Sequence, residues 1–216
     1  MSIRNTNLKS NEVTIVLPAL SKTKASETVE LLRHRAGMEA NYVIAVDHTR
    51  AGFIATVNRV AQSCPSEYIV YLAEDAFPGS RWLWHAYQKA QSEQLDLLAF
   101  NDGKWEGKIA GFGMVRLRWS RGLYGSGVFF SEYLSHRADK ELTIIAKAQG
   151  RFGYSPEATL VEYDTRKPFR VRERDNPNFD PKDRHLFNAR VRTGFGGILS
   201  TSEMRLIMET YPELSI

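Results

Sequence analysis

Short runs of β-branched and aromatic residues alternate with helix-like patterns along the first half of the chain, and this alternation limits the fold more than any other feature. Strands buried on both faces are continuous apolar runs, whereas the helices that connect them carry one apolar stripe. The alternation therefore predicts an α/β fold, with a mostly parallel sheet and helices on both faces. The predicted strands cover residues 13–17, 42–46, 68–72 and 95–100, and the predicted helices cover residues 27–35, 52–63 and 82–90.

Acidic side chains follow three of these predicted strands. Asp47 closes the second strand and Asp102 follows the fourth. The adjacent acids Glu74 and Asp75 follow the third. Ligands of such sheets collect at the carboxyl ends of the strands, and carboxylate oxygens are the groups that Mg²⁺ and Mn²⁺ prefer. We therefore expect a ligand site at this edge of the sheet.

The second half of the chain has a less regular pattern, in which glycines and prolines interrupt short apolar runs. Three prolines and many charged residues in the segment 165–183 predict a mobile loop. Before this loop we expect a strand over residues 109–118, parallel or antiparallel to its neighbours, and a helix over residues 139–149. A turn over residues 153–156 and a short strand over residues 159–163 follow. After the loop we expect helices over residues 185–192 and 202–211.

The composition is that of an ordinary globular protein, with 43% apolar and 25% charged residues. Cys64 is the only cysteine, so an internal disulfide is excluded, which fits a reducing compartment. Residues 1–10 lack the apolar core of a signal peptide, and no apolar run approaches the ~18 residues that span a bilayer. We therefore expect a cytoplasmic protein whose contact with a membrane, if any, is peripheral.

The net charge of +4 lies entirely in the second half of the chain. Residues 1–110 carry 12 basic and 12 acidic side chains, whereas residues 165–192 alone carry 9 basic against 4 acidic. Such a patch is suited to nucleic acid, anionic lipid or a phosphorylated substrate. The alternative is a solvated surface whose arginines pair with Asp175, Asp180 and Asp183.

The segments VTIVLPAL, YVIAVDHT and YIVYLAEDAFPGSRWL follow one another in the order and spacing of the donor half of inverting GT-A glycosyltransferases, the large family-2-like group. The chain resembles this family. The segments FNDGKWEGKIAGFGMVRL, YLSHRADKEL and GRFGYSPEATLVEYD are similar to the acceptor half of its small bacterial and phage members. The resemblance covers residues 12–195. It implies a Rossmann-like GT-A sheet with a short antiparallel acceptor-side portion, and a nucleotide sugar, most often a UDP-sugar, as donor.

The resemblance also implies a domain organisation. A single GT-A-like domain covers residues 1–195, with a nucleotide-sugar-binding half at residues 12–103 and an acceptor half at residues 104–164. The basic mobile loop at residues 165–183 follows the acceptor half. A helical C-terminal tail is expected at residues 184–216.

The resemblance implies donor-side roles for four residues. Pro18 and Ala19, after the first strand, line the nucleotide, and Asp47 contacts its base or ribose. Asn58 stands where the family has the asparagine of an arginine–asparagine pair, and Val57 replaces the arginine of that pair. These four residues are therefore expected to bind the donor.

Glu74 and Asp75 occupy the middle and last places of the family's Asp-x-Asp motif, which implies that Asp75 is the ligand of Mn²⁺ or Mg²⁺. The first aspartate of the motif is Ala73 here. The histidine that often follows the family's last strand is Tyr163 in this chain, and Asp164 comes next. These departures leave open a metal-independent enzyme or a degenerate, non-catalytic relative.

Asp139 matches the family's catalytic base. It begins a predicted helix, where the helix dipole favours the ionised carboxylate. A general base at this position takes the proton of the acceptor hydroxyl, while a divalent cation stabilises the departing diphosphate. The residues that the resemblance or the chemistry places around the donor sugar and acceptor are Asn101, Asp102, Trp105, His136 and Glu141.

The leading hypothesis is therefore an inverting transfer of a sugar from a nucleotide sugar to a hydroxyl acceptor. The acceptor is a glycan, a lipid-linked oligosaccharide or, through the basic second half, a modified base of phage DNA. Two other classes stay open at this stage. One is a non-catalytic module that binds a nucleotide or glycan on a degenerate transferase scaffold, and the other is a nucleotidyltransferase.

Overall fold

The computed structural model of the protein describes residues 12–162 and 181–214. Within them, one mixed sheet has helices packed on both faces. The strands are β1 (Val13–Ala19), β2 (Asn41–Val46), β3 (Tyr68–Tyr71), β4 (Ala76–Pro78), β5 (Leu97–Asn101), β6 (Gly113–Arg116) and β7 (Phe152–Glu162). The helices are α1 (Lys22–Arg35), α2 (Phe53–Ser63), α3 (Trp82–Ser92), α4 (Leu117–Tyr124), α5 (Ala138–Ala148), α6 (Pro181–Arg192), the one-turn α7 (Gly194–Gly197) and α8 (Thr201–Thr210).

The sheet has the strand order β2-β1-β3-β6-β5-β7-β4. Strands β1, β2 and β3 are parallel to one another, and β5 is parallel to β7. Strand β6 lies antiparallel between β3 and β5, and the short β4 pairs antiparallel with the end of β7. The predicted α/β class and the antiparallel acceptor-side portion are therefore confirmed.

Two strand predictions need correction. The apolar run predicted as one strand over residues 109–118 divides into the short strand β6 and the start of helix α4, where Leu117 and Ser120 are buried. The turn and short strand predicted over residues 153–163 form the single strand β7. A bulge opens in β7 because Phe100 pairs with Ser155 while its neighbour Asn101 pairs with Thr159. The glycine and proline that predicted a turn are accommodated before and within this bulge.

Alternate residues of the central strands serve two apolar cores, one on each face of the sheet. In β1, Ile15 and Leu17 belong to the core under α1 and α3, whereas Val16 belongs to the core under α2 and α5. The same alternation places Val70 and Tyr71 of β3 on opposite faces. Burial on both faces explains why these strands are continuous apolar runs in the sequence.

The C-terminal helices, predicted as a tail, pack into the core formed by α2 and α5. Phe187, Phe195, Leu199, Ile207 and Leu214 are all at most 5% exposed and belong to that core. Helix α8 begins with a capping box between Ser200 and Glu203, which fixes its start. No helix in the described ranges is both long and apolar enough to cross a membrane.

A buried ion pair attaches α6 to α5. Glu141 is fully buried, and its two carboxylate oxygens accept from Nε and Nη2 of Arg190 at 2.8 and 2.7 Å. The hydroxyls of Tyr124 and Tyr133 donate to the same carboxylate at 3.0 and 2.8 Å, and the Arg190 guanidinium lies over the Phe130 ring. The prediction that Glu141 contacts an acceptor is therefore wrong, because its carboxylate is enclosed and occupied by four donors.

Replacing Arg190 with methionine should strongly destabilise the fold, because it leaves the Glu141 carboxylate buried without its countercharge. We expect Arg190→Met to lower the free energy of unfolding by about 3 kcal/mol or more, measured by urea denaturation at pH 7. The matched control is Arg192→Met on the exposed part of the same helix, which should change it by less than about 0.5 kcal/mol. Equal losses in both variants would contradict the assigned role of the pair.

Candidate functional site

The acid-bearing strand ends lie along one edge of the sheet, as predicted. Strands β2 and β3 run parallel, and β5 runs in the same direction as β3 because both are antiparallel to β6. Strands β2 and β5 are each two places from β3 in the sheet. Asp47 and Asp102, which follow these two strands, therefore lie about 10 Å to either side of β3. The acidic pair before β4 stands between them.

Asp47 fixes the loop that leads from β2 into α2. Its Oδ1 accepts from the N–H of Ala51 at 2.9 Å, and its Oδ2 accepts from the N–H of Gly52 at 2.8 Å. These hydrogen bonds, led by that of Gly52, lower the pKa of the carboxyl below its usual value. The N–H of Asp47 also donates to the carbonyl of Ala19, next to the partly buried Pro18. The predicted nucleotide-contacting residues of β1 and β2 are therefore adjacent.

The two members of the acidic pair have different environments. Glu74 braces the loop after β1, since its Oε1 accepts from the N–H of Leu20 at 2.8 Å. Its carbonyl accepts from the hydroxyl of Thr28 in α1. Asp75 is partly buried at the same edge of the sheet. Glu74 therefore has a structural role in the loop after β1.

A cavity of about 150 Å³ opens where the starts of α2 and α5 meet the end of β3. Its walls are largely aromatic and aliphatic. Its polar lining residues are Tyr71, Ser135 and Asp139, and the Tyr71 hydroxyl donates to the carbonyl of Ala110 at 2.6 Å. The lining residues are Phe53, Ile54, Tyr71, Gly111, Phe112, Phe129, Ser135 and Asp139.

Asp139 lies in the first turn of α5 and lines this cavity. Its Oδ1 accepts from the N–H of Lys140 at 2.8 Å. Burial raises the pKa of the Asp139 carboxyl, and this effect exceeds the opposing influence of the Lys140 N–H and of the charges on His136 and Arg137. The sequence alone predicts that the helix dipole keeps this carboxylate ionised, but desolvation has the larger effect. A raised pKa makes the ionised form a stronger base.

Asn58 holds one wall of the cavity. Its Oδ1 accepts from the N–H groups of Val128 and Phe129 at 2.9 and 3.0 Å, and its Nδ2 donates to the Phe129 carbonyl at 2.9 Å. A Cβ added to Gly127 would lie 2.6 Å from Asn58 Oδ1, so only glycine allows this approach. We therefore correct the prediction of a donor contact: Asn58 is 7% exposed and positions the wall at Phe129.

The turn after β5 approaches the cavity from the other side. Asp102 Oδ1 accepts from the N–H groups of Lys104 and Trp105 at 2.9 and 2.8 Å, and burial raises the pKa of this carboxyl. Asn101 donates from Nδ2 to the carbonyl of Pro156 at 2.9 Å. A Cβ on Gly111 would lie 3.2 Å from both Asp102 Oδ2 and Trp105 Cδ1. Through Gly111, this turn therefore borders the cavity.

Several residues at the site cannot be recognised in the sequence, because only the folded chain brings them together. They include the cavity walls Phe53, Phe112 and Phe129, whose apolar side chains carry no functional signal in the sequence. The same holds for Asp183. The sequence suggests only that it pairs with arginines, but its carboxylate accepts backbone N–H groups of residues 134–136, including that of His136.

The carboxylates present fit a divalent cation that is completed by a substrate. Within the described ranges, no group of three or more histidine, cysteine, aspartate or glutamate side chains is arranged to hold a metal ion. The predicted positions Tyr163 and Asp164, like most of the basic segment, lie outside those ranges. Mg²⁺ commonly binds through one or two carboxylates together with substrate phosphates and water. Asp75, at the edge of the sheet where Asp47 and Asp102 also lie, could provide one such carboxylate.

No protein-family model and no curated protein matches this sequence. Solved structures do match. A fragment of S. aureus TarS in complex with UDP-GlcNAc is 12% identical, with 94% of this chain and 72% of that chain covered and a TM-score of 0.62. The mannosyltransferase PcManGT from Pyrobaculum calidifontis, in complex with GDP-Man and Mn²⁺, is 13% identical, with 94% and 69% covered and a TM-score of 0.62.

A third similar structure is a mutant Drosophila β-1,4-galactosyltransferase 7 in complex with manganese, UDP-Gal and xylobiose. It is 14% identical, with 74% of this chain and 78% of that chain covered and a TM-score of 0.52. The match to the longer S. aureus TarS structure covers 43% of that chain. These likenesses show that the chain has the GT-A fold of glycosyltransferases, which confirms the fold predicted from the sequence.

The role of Asn58 is testable by separating stability from ligand binding. Asn58→Ala leaves two buried N–H groups and a carbonyl without partners and should lower the free energy of unfolding by about 2–3 kcal/mol. The affinity for a nucleotide, measured by calorimetry below the unfolding temperature, should change by less than about threefold, because the Asn58 amide bonds the backbone and not the donor. A tenfold change would require a loss of about 1.4 kcal/mol of binding free energy. Gln62→Ala, at an exposed position of the same helix, is the control. A large loss of affinity with unchanged stability would restore Asn58 as a donor contact.

Proposed function

We propose that this chain, which has the GT-A fold, is an inverting glycosyltransferase that moves a sugar from a nucleotide sugar to a hydroxyl of a glycan. One observation carries the proposal: Asp139, a carboxylate whose pKa is raised by burial, lines a cavity at the sheet edge where the acid-bearing strands end. The three similar structures named above are complexes with UDP-GlcNAc, GDP-Man and UDP-Gal, which supports a nucleotide sugar as the donor.

The proposed reaction is a single displacement. Asp139 accepts the proton of the acceptor hydroxyl as its oxygen forms a bond to the anomeric carbon of the donor sugar. The bond from that carbon to the phosphate oxygen breaks, and the nucleoside diphosphate leaves with the bonding electrons. Among the described residues that line the cavity, Asp139 is the only carboxylate. A single carboxylate supplies a base but no second nucleophile, so inversion is the outcome that this arrangement favours.

On the donor side, Pro18, Ala19 and Asp47 are proposed to contact the nucleotide, because they are adjacent at the ends of β1 and β2. Asp75 is proposed to hold Mn²⁺ or Mg²⁺ with help from the diphosphate. Such an ion supplies stabilisation of the negative charge on the leaving diphosphate. Two similar structures contain manganese, which supports this assignment. Glu74 keeps the loop after β1 in place beside them.

On the acceptor side, Asn101, Asp102, Trp105 and His136 remain the proposed contacts. The turn that carries Asp102 and Trp105 borders the cavity through Gly111, and an indole ring is a suitable surface for the apolar face of a sugar. One similar structure contains xylobiose, which supports a glycan acceptor. A nucleic-acid acceptor gains no support from the described residues or from the similar structures, so we do not propose it.

The proposal is tested by incubating the protein and Mn²⁺ with a panel of UDP- and GDP-sugars. Release of the nucleoside diphosphate is measured with and without simple glycan acceptors. Acceptor-stimulated release, with a product of inverted anomeric configuration by NMR, is the expected result. Nucleotide binding by calorimetry without any release, across the panel and across several metals, would instead establish a non-catalytic binding module.

Asp139→Asn should separate activity from stability. The variant cannot accept a proton, so the turnover number should fall at least about 100-fold. In the wild type, activity should fall as the pH is lowered through the raised pKa of Asp139, which places the acid limb above the usual aspartate value of 3.8. Asp96→Asn, at the opposite edge of the sheet, should retain this activity and its pH dependence. Normal turnover by Asp139→Asn would exclude the assigned base.

The same variant has a predictable effect on stability. Because the pKa of Asp139 is raised in the folded state, the folded protein binds this proton more tightly than the unfolded chain. Ionisation of Asp139 therefore lowers stability as the pH rises from 3.8 through the raised pKa. At pH 7, thermal unfolding of Asp139→Asn should occur at or above the wild-type temperature, and the difference should vanish below pH 3.8. A lower unfolding temperature at pH 7 would show that this carboxylate stabilises the fold.

Asp75→Asn should weaken the metal site with little effect on folding. In the presence of UDP, the dissociation constant for Mn²⁺, measured by electron paramagnetic resonance, should rise about tenfold or more. The matched control is the neighbouring Glu74→Gln, whose amide oxygen still accepts from the N–H of Leu20, and it should change Mn²⁺ affinity by much less. The reverse order of effects would move the metal from Asp75 to Glu74.

A further inference from the structure

We infer that Asp183 is a positioning residue, which holds residues 134–136 so that Ser135 and Asp139 line the cavity. Asp183 lies in α6 and is 1% exposed. Its Oδ1 accepts from the N–H of Leu134 at 2.9 Å, and its Oδ2 accepts from the N–H groups of Ser135 and His136 at 2.8 and 2.7 Å. Three short bonds to a buried carboxylate are stronger than bonds between neutral groups.

Helix α6 presents one continuous face to this region. Asp183, Phe187 and Arg190 are spaced by four and three residues, so they lie on the same side of the helix. Asp183 binds the segment before α5, and Arg190 binds Glu141 in the first turns of α5. Between them, the buried Phe187 ring lies under the Lys140 ammonium, at 5.4 Å from the ring centre. The start of α5 is therefore held between α6 on one side and the cavity on the other.

The segment is also confined from the side of α2. A Cβ added to Gly52 would lie 2.6 Å from the carbonyl oxygen of Leu134, so the backbones approach closely there. The N–H groups of residues 134–136 point to Asp183, while Ser135 reaches the cavity beside Asp139. Ser135 and Asp139 thus line the same cavity, with the backbone of residues 134–136 held from behind by Asp183. This inference rests on the proposed function, because it takes Asp139 as the base.

Hydrogen exchange tests the positioning independently of catalysis. In Asp183→Asn, the amide nitrogen of the new side chain faces an N–H group, so at least one of the three bonds is lost. Exchange of the amides at residues 134–140 should accelerate about tenfold or more, while peptides from β1 and α2 keep their wild-type rates. The control is Asp96→Asn, which disturbs an ion pair with Arg116 at the opposite edge and should leave residues 134–140 unchanged.

Kinetics distinguish a positioning role from a purely structural one. Asp183→Asn should lower the turnover number about tenfold or more with the KM for the donor within about twofold, because the donor half is untouched and a small displacement at the base is costly. Asp183→Glu retains the charge and is expected to show a smaller loss. It also serves as the test variant if Asp183→Asn does not fold.

Two results would overturn the inference: unchanged exchange at residues 134–140, or faster exchange with a turnover number within twofold of the wild type. If the wild type turns over no nucleotide sugar, the proposed function has failed. The positioning of Asp139 by Asp183 is then decided by exchange alone, since faster exchange at residues 138–140 in Asp183→Asn supports it and wild-type exchange refutes it.

Discussion

The candidate site depends on residues 125–137, an irregular stretch of backbone whose N–H groups need hydrogen-bond partners. This stretch forms neither helix nor strand, yet it carries Phe129 and Ser135 of the cavity wall. Buried backbone groups without partners are costly, so partners must come from elsewhere. The amide of Asn58 and the carboxylate of Asp183 provide them, at opposite ends of the stretch and from two different helices. The cavity therefore keeps its shape only when both helices are packed in place.

This dependence explains what the sequence could and could not predict. Strands β1 to β3 and the acids that follow them are local features, since burial on both faces leaves a continuous apolar run and a parallel sheet aligns its carboxyl ends. The partners of Asn58, Glu141 and Asp183 are 8 to 71 residues away along the chain. No local pattern distinguishes a helical aspartate that binds backbone from one that faces water. The continuity of β7 was not predicted for a related reason, because the bulge that accommodates Pro156 within the strand is set by its pairing with β5.

The proposed metal site, with few protein ligands, would couple the binding of the ion to that of the donor. In this proposal Asp75 provides one carboxylate, and the described ranges contain no cluster of three or more metal-binding side chains. Diphosphate oxygens and water would complete the coordination of the ion. Ion and donor would then stabilise each other's binding, and by linkage the coupling is the same in both directions. The replacement of the motif's first aspartate by Ala73 is compatible with such a site, because the substrate makes up the missing oxygen.

Two carboxylates at this site show how environment divides roles between chemically identical groups. Asp47 accepts N–H groups from Ala51 and Gly52, which lowers its pKa and keeps it ionised as a fixed part of the loop. Asp139 also accepts from a backbone N–H, that of Lys140, but its burial has the larger effect and raises its pKa. Titratable groups whose environments move their pKa values apart are suited to different tasks, the lowered one to holding a structure and the raised one to taking a proton. The apolar wall beside Asp139 therefore opposes its ionisation and, for the same reason, makes it the stronger base.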